Sequence, residues 1–172
     1  MRKSNKTTQR IMFGLLAVLL VGCGQPKKDN QFFLQKAKDL GDIIIKQASG
    51  DINLCNMYNT VWEYAKATEM DFKSAYREMM LDTSSLKMEM ENSKQMMDRL
   101  MNMVKKPPKN IPGILEKLIE LRESYLEFNK FVLKLPQISQ EKFNAQTETY
   151  MANINSLKDE LDGLISEAEA NL

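Results

Sequence analysis

Apolar residues recur along most of this chain at alternating intervals of four and three, the spacing that lines one face of an α-helix. Two segments keep the rhythm throughout. Ile111, Ile114, Leu118, Leu121, Tyr125, Phe128, Val132 and Leu135 form one seam. Phe143, Thr147, Tyr150, Ile154, Leu157, Leu161, Leu164 and Ala168 form another, with Thr147 as a polar exception. Seams of this kind pack knobs into holes against neighbouring helices. An earlier seam, Phe33, Ala37, Leu40 and Ile44, is expected to stop near Ala48-Ser49-Gly50, where glycine suits a left-handed C-cap. Asp51 or Asn53 would then cap a helix carrying Leu54, Tyr58, Val61, Ala65, Thr68, Phe72, Ala75 and Met79. The series Leu86, Met90, Met97, Leu100 and Val104 follows Asp82-Thr83-Ser84-Ser85. Extending the previous seam would put Asp82 and Glu89 in the core, so a break or kink is expected there.

The clearest loop is Lys105-Lys106-Pro107-Pro108-Lys109-Asn110, because two prolines stop one helix and Pro112-Gly113 suits the start of the next. Pro136 closes that helix and Ser139 suits the N-cap of the last, which at about 30 residues would be about 45 Å long. No stretch alternates with period two for long enough to make a strand. The expected fold is all-α, an antiparallel four- or five-helix bundle. The last helix ends in Asp159, Glu160, Asp162, Glu167 and Glu169, which oppose its dipole and predict fraying. Up-down connections put this acidic end beside the basic Lys105 to Lys109 turn. If residues 82–85 reverse the chain, that turn is distal to the N-terminus; if they do not, it lies at the N-terminal end.

The first 30 residues follow a different pattern. Arg2, Lys3, Lys6 and Arg10 precede the uncharged run from Ile11 to Gly22, and after Cys23 the chain becomes Gly-Gln-Pro-Lys-Lys-Asp-Asn. A membrane span needs roughly 20 apolar residues. The shorter run, behind a basic segment, reads as an export leader that is cleaved. Leu20-Val21-Gly22-Cys23 resembles the lipobox of bacterial lipoproteins. That resemblance implies an S-diacylglyceryl group on Cys23, cleavage just before it and N-acylation of the new terminus. Two or three acyl chains, at about 0.8 kcal/mol per buried CH₂, hold a protein stably on a membrane where one is marginal. The implied organisation is a signal peptide over 1–22, a lipidated cysteine and short polar tether over 23–30, and one helical domain over 31–172. The implied location is the outer face of the cell membrane in a Gram-positive cell or the outer membrane in a Gram-negative one. If residues 82–85 do not reverse the chain, the lysine turn lies near the membrane, where it could meet anionic lipid; a solvated loop is the expected reading in either case.

Composition narrows the chemistry. Without the leader the chain carries 20 Lys and Arg against 23 Asp and Glu, a formal charge of −3 that gives no reason to expect nucleic-acid binding. Cys55 is then the single unmodified thiol, expected as a small buried hydrophobe. Histidine is absent, which removes the usual general base, Ser-His-Asp and Cys-His systems, and most zinc and iron sites. Neither a phosphate-binding glycine loop nor a serine elbow occurs. Carboxylate pairs such as Glu116 with Glu120 read as solvated helix faces. No enzyme, cofactor or metal is expected.

Methionine is the unusual abundance, with six in residues 88 to 103, "MEMENSKQMMDRLMNM". Most are expected to fill core. Met88, Met96, Met97, Met101 and Met103 are candidates for a partner-binding face, since unbranched, polarizable thioethers repack against varied surfaces. Met97 with Met101 would also suit Cu(I). The aromatic set Tyr58, Trp62, Tyr76, Tyr125 and Phe128 reads as core before it reads as a ligand pocket. The resulting expectation is a lipid-anchored, non-enzymatic adaptor that engages the membrane through its N-terminal lipid and another envelope protein through a helix face. The alternative is a bundle that binds a small molecule or soft metal between its helices.

Overall fold

The computed structural model describes residues 25–79, 84–109 and 111–172. The fold is all-α, with no strand among the described residues. Five helices occur there: α1 (Gln25–Ala67), α2 (Phe72–Glu78), α3 (Ser84–Val104), α4 (Ile114–Val132) and α5 (Gln140–Ala170). Cys23 and the apolar run before it lie outside the described residues.

Helix α1 is the axis of the molecule and packs against each of the other four. It is 43 residues long, about 65 Å at 1.5 Å per residue, so it and not α5 sets the long dimension. The expected stop at Ala48-Ser49-Gly50 does not occur. Gly50 is helical and does not take a positive φ, and the Ser49 hydroxyl donates to the Ile45 carbonyl inside the helix. The reason lies in the core stripe, where Phe33, Ala37, Leu40, Ile44, Ala48, Leu54 and Tyr58 are all buried on one continuous seam. Breaking the helix would split that seam. The polar stretch expected as a tether is likewise helical from Gln25, and Asn30 is already buried.

The chain instead turns after Ala67. Glu69 adopts φ 56°, Met70 N–H donates to the Ala65 carbonyl, and Asp71 caps α2 by accepting from the backbone N–H groups of Lys73 and Ser74. Helices α2 and α3 then run back along α1 in one direction. Phe72 packs on Trp62 at 4.5 Å between ring centroids, Tyr76 on Tyr58 at 6.2 Å, and Met90 reaches the level of Gly50 and Leu54. The reversal thus falls at 68–71; of the expected 82–85 break, residues 82 and 83 lie outside the described residues and 84 and 85 are already in α3.

Helix α4 runs parallel to α1, and α5 antiparallel to both. Tyr58 Oη donates to the Val132 carbonyl, Asn153 to Ser124 Oγ, and Lys66 Nζ to Gln140 Oε1. Ser139 caps α5 as expected, accepting from Lys142 N–H. The arms therefore go up (α1), down (α2 and α3), up (α4) and down (α5). The seams of α4 and α5 supply the core: Ile114, Leu118, Leu121, Tyr125, Phe128 and Val132 face Phe143, Ile154, Leu161 and Ile165. Thr147 sits in this core because its hydroxyl lies 3.8 Å from Cys55 Sγ.

Candidate functional site

The five methionines singled out as one face divide by burial. Met97 is fully buried and Met101 half-buried against the main core, so the proposed thioether pair is packing. Met88, Met96 and Met103 are 66%, 45% and 57% exposed. At 100° per residue they fall within an arc of about 80° and span about 22 Å of helix. Met90, Ser93, Met97 and Val104 are buried on a narrow opposite stripe. Helix α3 packs mainly on α1, with Asp98 reaching across to Arg122 of α4 at 2.5 Å, so its outer face is left bare.

The aromatic set is ring-to-ring packing within the core. Tyr58, Trp62 and Tyr76 join Phe72 and Phe143 at centroid separations of 4.5 to 6.4 Å, and Phe128 packs on Tyr150 at 5.7 Å. Tyr125 belongs to a different group, described below. Where α4 gives way to α5, a groove of about 560 Å³ is lined by Phe131, Leu135, Ile138 and Phe143. It opens to solvent at the end opposite the start of α1. Glu116 and Glu120 are exposed, and Lys117 bridges Glu120 and Glu160 at 2.6 and 2.7 Å, an ordinary solvated helix face.

Cys55 is buried, and burial pushes its thiol up to about 11, which leaves it unreactive at neutral pH. One turn earlier stands the group that sequence reasoning missed. Asp51 is 1% exposed, in the middle of α1, and Oδ2 accepts from Asn129 Nδ2 at 2.9 Å. Burial raises its pKa to about 6, against the opposing hydrogen bonds from Asn129 and Tyr125. Desolvation and the Asp51 charge in turn push the Tyr125 phenol well up. The signal was present in the sequence, because Asp51 continues the α1 seam from Ile44 and Ala48; it was read as a helix cap.

Among the described residues no group of three or more Cys, Asp or Glu is placed to hold a metal ion, and no helix is long and apolar enough to cross a membrane. No protein-family model, curated protein or solved structure matches the chain.

Proposed function

We propose that this chain is a lipid-anchored, non-enzymatic envelope lipoprotein that holds another envelope protein against the outer face of α3. The observation that carries the reading is the exposed line of Met88, Met96 and Met103 on a helix that spends its buried side mainly on α1. Flexible thioethers on a bare helix face suit a partner helix laid alongside them. The anchor rests on the lipobox-like Leu20-Val21-Gly22-Cys23, and α1 begins only two residues after that cysteine. The absence of histidine from the sequence favours binding over catalysis.

The test is in-cell crosslinking and capture with three forms: the native chain, Cys23→Ser, and the triple Met88→Gln/Met96→Gln/Met103→Gln. The Cys23→Ser form should carry no lipid and keep its leader uncleaved, yet still capture the partner after mixing with envelope extract. The methionine triple should be lipidated and cleaved as the native chain is and lose the partner. Capture unaffected by the triple would overturn the α3 assignment, and a Cys23→Ser form cleaved like the native chain would overturn the anchor.

A further inference from the structure

Helix α1 starts at the end of the bundle where α5 finishes. Gln31, Leu34 and Gln35 line one depression with Glu169 and Leu172, and Ile111 and Pro112 line another with Glu167 and Ala168. The α3–α4 turn therefore projects from this same end. It is tightened by the Ile111 N–H donating to the Pro108 carbonyl at 3.1 Å, and it exposes Lys105, Lys106 and Lys109. Among the described residues none of these lysines is in an ion pair. Lys28 and the 56% exposed ring of Phe32 lie in the first turns of α1, at the same end.

The acidic groups of this end lie on the neighbouring helices. Glu167 and Glu169 are on α5, where Glu167 shares the depression of Ile111 and Pro112 at the foot of the turn, and Asp29 is on α1. The lysines are carried by the α3–α4 turn and the carboxylates by the helix termini beside it. Charge of one sign on an exposed loop, at the same end as an exposed aromatic ring, fits the headgroup layer of an anionic bilayer.

We propose that the Lys105 to Lys109 turn is a second membrane contact, which leans on anionic phospholipid headgroups. The proposal rests on the anchored reading for its proximity to the membrane, since Gln25 is two residues from Cys23. A basic side chain at such a surface contributes about 1 kcal/mol, roughly a fivefold gain in local occupancy per lysine.

The experiment separates the two readings by replacing acylation with chemistry. The full chain is coupled through the Cys23 thiol to a maleimide-headgroup lipid in vesicles; Cys55 is buried and does not compete. Lysine reactivity toward an N-hydroxysuccinimide ester is then read by mass spectrometry. With phosphatidylglycerol in the vesicles, Lys105, Lys106 and Lys109 should react several-fold more slowly than on phosphatidylcholine alone. Lys134 and Lys142, at the opposite end, should not change. The protection should vanish in 1 M salt, where the screening length is about 3 Å. Equal reactivity on the two vesicle types, or protection centred on Lys134 and Lys142, would overturn the proposal. Mass spectrometry of Cys23 from cells reports on the acylation independently.

Discussion

The side-chain amide of half-buried Asn129 donates to the buried Asp51 carboxylate across the α1–α4 interface. A carboxylate in that position is costly when charged, and two donors offset only part of the cost.

The sign of the pH dependence follows. With a folded pKa of about 6 against an ordinary 3.8, Asp51 costs nothing while it is protonated in both states. From about pH 4 to 6 the unfolded chain ionises first, so stability is lost as pH rises, by about 3 kcal/mol at most. Asp51→Asn should remove this slope and exceed wild type in stability at pH 8. Urea unfolding of both proteins at pH 4.5 and 8 checks it; parallel pH dependences would contradict the assignment. Taking the difference between the two proteins cancels the paired carboxylates elsewhere, whose contributions have the opposite sign.

Two glycines of α1 should respond oppositely to alanine. A Cβ at Gly50 meets nothing within 4 Å, so Gly50→Ala should stabilise by about 0.5–1 kcal/mol. A Cβ at Gly41 would stand 2.9 Å from Leu161 Cδ2 and 3.1 Å from Lys158 Cε. Leu161 is fully buried and Lys158 is held between Asp42 and Asp162, so Gly41→Ala should destabilise by about 1–2 kcal/mol. Denaturation midpoints of the two variants decide.

At the 68–71 turn, Glu69 takes a left-handed conformation that a side chain disfavours, and Asp71 satisfies the first amides of α2. Glu69→Gly should raise stability by about 1 kcal/mol, and Asp71→Ala should lower it by a similar amount. Thermal melts of the pair check both signs. If Asp71→Ala were neutral, the cap would not be holding the turn.

The methionines of α3 should divide in stability as they do in burial. Met97→Ala is expected to cost about 2–5 kcal/mol. Replacing Met88, Met96 and Met103 by glutamine should shift stability by no more than about 0.5 kcal/mol each. That contrast, measured by urea unfolding, also certifies the methionine triple as a fair probe of binding.

The seams of α4 and α5 were legible in the sequence because hydrophobic spacing and Pro, Gly and Ser punctuation agreed there. The first half misled where they conflicted. Ala48-Ser49-Gly50-Asp51 has the residues of a helix stop and a fresh cap, yet packing along the Phe33 to Tyr58 stripe outweighs a preference of about 1 kcal/mol at one glycine. Thr68 to Asp71 turns with neither glycine nor proline, and Phe72, Ala75 and Met79 follow in a phase that prolongs the preceding seam. Of the candidate surface, the spacing put Met90 and Met97 on the buried seam of α3 and Met88, Met96 and Met103 off it, as the burial has it; counting Met97 and Met101 with the partner face was the misreading.

Since α1 begins two residues after Cys23 and packs against every other helix, it is the shaft of the molecule as well as its centre. A pull applied at the N-terminus enters the bundle along the axis of one hydrogen-bonded rod and loads its interfaces in shear over most of their length. Shear of that kind strains many side-chain contacts at once, so unfolding from that end has to overcome the packing of the whole buried stripe of α1 together.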